Sequence, residues 1–132
     1  MTMKEVTTGT KGTAETTVTD TNTAKTMGSG SLDVFATPAM TALMEKAACN
    51  ALESFLEDGE TTVGTLLNIT HDSATPAGMK VTAEAAVTEV NGREIVFEVT
   101  ASDEKGLIGK GTHKRFTVYS EKFMSKTNSK LG

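Results

Sequence analysis

Residues 33–57, DVFATPAMTALMEKAACNALESFLE, are the only stretch of the chain with sustained helical periodicity. At about 100° per residue, Met40, Leu43, Met44, Ala47, Ala48, Ala51, Leu52, Phe55 and Leu56 share one broad arc. Lys46, Asn50, Glu53 and Ser54 lie mostly off it. A helix apolar over more than half its circumference must be covered from several sides. Thr37 suits the N-cap, where its hydroxyl would accept a first-turn N–H. Pro38 would then be the first helical residue, where a missing N–H costs nothing, and Gly59 supplies the stop. Glu45 breaks the pattern by projecting between Leu52 and Leu56. A carboxylate there must be paired, wet or functional, because burying a bare charge is costly.

A length of 132 residues suits one domain with a single core. The flanks, residues 1–9 and 124–132, read as flexible tails. Thirteen basic and 17 acidic residues give a net charge of −4, which argues against a nucleic-acid binder held by phosphate contacts. No apolar run approaches the ~20 residues needed to cross a bilayer, and no signal peptide is visible. The single cysteine, Cys49, rules out an internal disulfide and reads as a packing residue; cytoplasm is the expected compartment.

The remaining chain reads as strands. Eleven of the first 27 residues are threonine, a strand former, and residues 10–20 make a first strand with Ala14 and Val18 on its buried face. Residues 26–31, TMGSGS, read as a flexible loop. Residues 61–70 place Val63, Thr65, Leu67 and Ile69 on one face and Leu66 on the other, the pattern of a central strand. Residues 79–90 alternate cleanly through Val81, Ala83, Ala85 and Val87. Asn91-Gly92 marks a hairpin, and residues 93–102 continue with Ile95, Phe97, Val99 and Ala101. Residues 103–106 turn the chain into a last strand, 107–119, where Gly109 and Gly111 mark a bulge or a close backbone approach. One apolar helix against a five-stranded antiparallel sheet is a two-layer α+β domain, with the sheet wrapped around the helix. Exposed strand edges and outer-face residues such as Leu66 and Val96 point to dimerisation.

Three polar residues converge on the helix–sheet layer: Glu45, Thr37 and His71, the last aimed inward by strand alternation. Each has a plain structural reading as a core-edge carboxylate, a helix cap or a hydrogen-bonded histidine. Together they form a general acid–base set. His113 has no assigned carboxylate and is expected to tolerate replacement. Lys114 and Arg115 are placed to meet a substrate phosphate, with a solvated face as the default reading. The glycines 106, 109 and 111 do not precede a helix and make no dinucleotide fingerprint. His71, Asp72, His113 and Cys49 lack metal-ligand spacing.

The runs VFATPAMTALMEKAACNAL, VGTLLNITHDSATPAGMKVTAEA and IGKGTHKRF resemble the hotdog-fold acyl-CoA thioesterases of the fluoroacetyl-CoA thioesterase-like family, over residues 31–116. The resemblance implies a hotdog fold and hydrolysis of an acyl-CoA thioester to a carboxylic acid and free CoA. It implies Thr37, Glu45 and His71 as the catalytic set, and Gly64 of VGT as the residue whose backbone lies beside the acyl carbonyl. Arg115 joins Gly64 as a substrate-binding candidate. A homodimer, or a dimer of dimers, with acyl-CoA near the subunit interface is implied, and no metal or redox cofactor. Residues 27–31 are small and polar where the fluoroacetyl-specific enzyme has aromatic residues over its acyl pocket, so fluoroacetate specificity does not carry over. The competing reading is a non-catalytic hotdog module that binds acyl-CoA or a protein partner.

Overall fold

The computed structural model describes residues 4–132. The long helix, α2 (Thr37–Leu52), follows strand β1 (Lys11–Thr17) and a short helix α1 (Ala24–Met27). Strands β2 (Glu60–His71), β3 (Lys80–Asn91), β4 (Glu94–Asp103) and β5 (Gly106–Tyr119) come next, then helix α3 (Ser120–Asn128). All five strands form one antiparallel sheet in the order β1-β3-β4-β5-β2.

The apolar arc of α2 lies on the concave face of this sheet. Met40, Leu43, Met44 and Leu52 are buried along it with Ala47, Ala48 and Ala51. Burying each of the four larger side chains is worth about 1.5–3 kcal/mol. The sheet answers with Val81, Ala83, Ala85 and Val87 from β3 and Ile95, Phe97, Val99 and Ala101 from β4, all buried as the alternation requires. The hairpin forms at Asn91-Gly92, with Asn91 paired to Glu94 and Gly92 at φ 64°. Gly109 answers to close approach: a Cβ there would lie 2.8 Å from Met40 Cε and overlap the Thr70 carbonyl.

Several expectations change. The strand containing Leu66 is an edge strand, not a central one, and Leu66 and Leu67 are exposed. A bulge falls between Gly64 and Leu66, where Thr65 has no partner in the register. The alternation therefore flips at that point. Thr62 and Gly64 share the helix-facing side with Leu67, Ile69 and His71, across from Thr117, Arg115, His113, Gly111 and Gly109. Val63 and Thr65 were expected on that side, because unbroken alternation cannot show an extra residue.

Residues 24–27 are a helical turn, capped by Thr23 and ended by Gly28 in the left-handed region. The C-terminal run is helical, because Ser120 N–H bonds the Gly59 carbonyl and launches α3. Lys4 and Gly9 bond Phe55 and Val87 through their backbones, and Val6 is buried, so residues 4–9 are held on the body; residues 1–3 lie outside the described residues.

Candidate active site

Thr37 does not cap its helix. Ala36 occupies the N-cap and, among the described residues, no side chain caps the first-turn N–H groups. The Thr37 hydroxyl instead lies 2.7 Å from His71 Nδ1. Two backbone ties create this pairing. Residues 34–36 run extended into the helix, with Phe35 N–H bonded to the Thr75 carbonyl and Ala36 N–H to the Asn22 carbonyl. Beyond His71, the N–H groups of Asp72 and Ser73 bond the Ile108 carbonyl. Thr75, fully buried, donates its hydroxyl to Asp103 at 2.7 Å, which anchors the loop to the β4–β5 turn. The helix start and the strand end are thus held by neighbouring backbone. A cleft of about 230 Å³ opens beside the pair, walled by Ala24, Ser29, Phe35 and Asp72. His71 Nε2 is buried and has no hydrogen-bond partner among the described residues.

Glu45 stands elsewhere. It is eight residues beyond Thr37, about 12 Å along the helix axis at 1.5 Å per residue. Its side chain is 43% exposed and lies 3.8 Å from Arg115 Nη1, so the charge within the apolar arc is both paired and wet. Arg115 is not on a solvated face. It is folded inward, with Nε donating to Thr62 Oγ1 at 2.8 Å and Nη2 to the Thr62 carbonyl at 3.0 Å. Its guanidinium lies at the Glu45–Gly64 end, not on the outer surface.

Gly64 faces this second cluster. A Cβ on it would lie 2.9 Å from Glu45 Oε2 and 3.3 Å from His113 Cε1. The missing side chain keeps open a cleft of about 240 Å³ lined by Glu45, Gly64, Thr65, Leu66, Leu67 and His113. A larger cavity of about 500 Å³ lies on the opposite face of the sheet, among Asn68, Thr70, Glu98, Lys110 and Thr112, and contains no histidine.

His113 is the residue that pattern reading undervalued. It is 1% exposed, stacks on Phe97, and bonds the Leu66 carbonyl and Arg115 through its two ring nitrogens. Burial pushes its imidazole below the ordinary histidine value, and the Arg115 charge adds to this; the bond to Leu66 and the charge of Glu45 oppose it. The available signal was an inward position in β5 two residues before an inward arginine. One chain therefore holds two separate groups, Thr37–His71 and Glu45–Arg115–His113.

Residues 18–121 match the family described as fluoroacetyl-CoA-specific thioesterase. The fluoroacetyl-CoA thioesterase of Streptantibioticus cattleyicolor is 43% identical over 98 residues, 74% of this chain and 70% of the relative. A solved structure of a fluoroacetyl-CoA thioesterase superposes with a TM-score of 0.90 at 34% identity, covering 96% of this chain and 98% of the other. A thioesterase superfamily member from Thermus thermophilus gives 0.89 at 28% identity, covering 96% and 94%. The family match and the sheet curled around one helix agree: this chain belongs to the fluoroacetyl-CoA-specific thioesterase family and has the hotdog fold.

Proposed function

We propose that Thr37, His71 and Glu45 carry out the reaction of this acyl-CoA thioesterase, and that each active site takes Glu45 from a second copy of the chain. The protein is a thioester hydrolase acting on acyl-CoA; the residue roles and the assembly are our reading. The observation that carries it is the 2.7 Å contact between Thr37 Oγ1 and His71 Nδ1, which joins residues 34 positions apart at the mouth of a cleft. A hydroxyl donating to an imidazole nitrogen is ready to lose its proton to that ring. Thr37 then attacks the thioester carbonyl itself or holds the attacking water. The tetrahedral oxyanion is met by backbone N–H groups at the helix start or beside Gly64. Collapse breaks the C–S bond, and the imidazolium returns the proton to the departing thiolate. Where Thr37 is the nucleophile, a water deprotonated by the same ring then hydrolyses the acyl-threonine ester, releasing the carboxylic acid and restoring the hydroxyl.

The 12 Å helical offset keeps Glu45 away from the Thr37–His71 pair of its own chain. Supporting a paired site are the exposed edge of β2, the exposed Leu66 and Leu67, and the buried Nε2 of His71 without a partner among the described residues. A homodimer that brings Glu45 of one copy toward His71 of the other accounts for all three. Cys49, expected to pack, is instead exposed off the apolar arc of α2; a free, exposed cysteine suits a reducing compartment, and we place the enzyme in the cytoplasm.

Free-thiol release from a panel of acyl-CoAs tests the activity. Mixing Thr37→Ala with Glu45→Gln, after dissociation and reassociation, tests the paired site. In a mixed dimer one site then carries both changes and the other neither, so activity returns. If the mixture stays as inactive as either parent, all three residues act within one chain. Binding of acyl-CoA without turnover would instead support a non-catalytic module.

A further inference from the structure

His113 is placed to act on the reaction without touching substrate. A carbonyl oxygen only accepts, so the 2.8 Å contact with Leu66 requires the His113 proton on Nδ1. A guanidinium only donates, so the 3.1 Å contact with Arg115 Nη1 requires a lone pair on Nε2. Both contacts hold together in one state of the ring, the neutral Nδ1–H tautomer. The charged ring would point an N–H at a guanidinium. The titratable and charged groups facing His113 are Glu45 from α2 and Arg115 from β5, while β4 contributes Phe97 and β2 the Leu66 carbonyl.

The two bonds have different consequences. The Nδ1–H bond grips Leu66, the first residue beyond the Thr65 bulge, and so fixes where β2 carries Gly64 past the Glu45 carboxylate. The Nε2 bond takes one N–H of Arg115 Nη1 while Thr62 takes Nε and Nη2, leaving the second N–H of Nη1 for Glu45 at 3.8 Å. We propose that His113 is a positioning residue of the thioesterase reaction: as a neutral acceptor it aims Arg115 at Glu45, and as a donor it sets the bulge that keeps Gly64 over the same carboxylate. This rests on the assignment of Glu45 to the active site.

Replacement variants separate the two bonds. His113→Gln keeps an amide oxygen near the Nε2 position for Arg115, whereas His113→Asn keeps an amide N–H near the Nδ1 position for Leu66. His113→Phe fills the volume beside Phe97 and keeps neither. Thiol release from acetyl-, propionyl-, butyryl- and fluoroacetyl-CoA is measured for each variant, with thermal melting to identify any that are unfolded. His113→Phe is expected to lose about 10- to 10²-fold in kcat, the cost of a catalytic group misplaced by about an ångström, with KM changed by less than about twofold. His113→Gln is expected to recover most of the loss and His113→Asn only part.

A folded His113→Phe protein with wild-type kcat overturns the proposal, as does a His113→Gln that falls with His113→Phe. Long-range ¹H–¹⁵N correlation spectra of the wild-type protein test the geometry independently of turnover. The Nδ1–H tautomer supports the proposal, and an Nε2–H tautomer or a protonated ring at pH 7 overturns it. A wild-type protein of the expected tautomer that hydrolyses none of the four thioesters overturns the proposed site, and the role of His113 in it, while leaving the bond to Arg115 standing as structure.

Discussion

The two histidines of this chain stand on the same concave face in opposite surroundings, and we propose opposite roles for them. His71 is at the end of an edge strand, beside a cleft, with one nitrogen on a hydroxyl and the other without a partner among the described residues. His113 lies in an interior strand, with both nitrogens bonded and its face on Phe97. A ring that must move protons needs an unfinished set of partners, which substrate or a second copy completes. A ring that must hold other groups needs a finished one. Burial lowers the His113 imidazole below the ordinary histidine value, and a perturbed ionisable group is a common sign of catalysis. In our reading that sign points at a positioning residue, and the proposed proton carrier is the ring with a hydroxyl neighbour.

The contrast is broken most directly at His71. His71→Ala is expected to lower kcat by about 10²–10⁴-fold, the range for a general acid–base group, while binding of an unreactive acyl-CoA analogue, read by calorimetry, changes little. Equal losses in binding and turnover would make the ring a ligand contact instead. Glu45→Gln is expected to cost about 10²-fold in kcat with its melting temperature nearly unchanged, since the side chain is 43% exposed. Gly64→Ala sharpens the other half of the contrast. Its Cβ would crowd Glu45 Oε2 at 2.9 Å, and because a half-exposed carboxylate can swing aside, a smaller loss of about tenfold in kcat/KM is expected.

Stability should report on His113 as well. Burial keeps the folded His113 from taking up a proton that the unfolded chain binds near about pH 6.5. Its contribution is therefore complete above that pH and is lost as pH falls from there toward the folded value. Melting curves from pH 8 to pH 5 should drop more steeply for the wild-type protein than for His113→Gln; parallel curves would show that His113 is not the group responsible. The smallest effect is expected at the anchor of the His71 loop. Thr75→Val removes the bond to Asp103 and should cost about 1 kcal/mol, visible in denaturant unfolding. That bond is the main reason the Asp103 carboxyl is held below the usual carboxylate range, so the variant should also lose part of its sensitivity below about pH 4.

Much of the architecture was legible in local pattern. The arc from Met40 to Leu52, the alternation of β3 and β4, and the Asn91-Gly92 hairpin each follow from a period or a turn preference that neighbouring residues carry among themselves. His71 was found inward because alternation after the bulge keeps a constant phase from Leu67 to His71. Thr37 was singled out for the wrong local reason: a threonine before proline reads as a cap, yet its hydroxyl bonds a side chain 34 residues away.

The sequence by itself determined one amphipathic helix, a set of antiparallel strands and the polar residues that face between them, because side-chain period and turn chemistry act over a few residues. Only the tertiary structure decided that β2 lies at the edge, that Thr65 bulges, that Arg115 folds inward to Glu45, and that His113 lies between them. Those outcomes depend on which strand pairs with which, and on how distant donors and acceptors are satisfied once water is excluded. No local period encodes a pairing between residues 47 or 53 positions apart, such as His113 with Leu66 or Arg115 with Thr62.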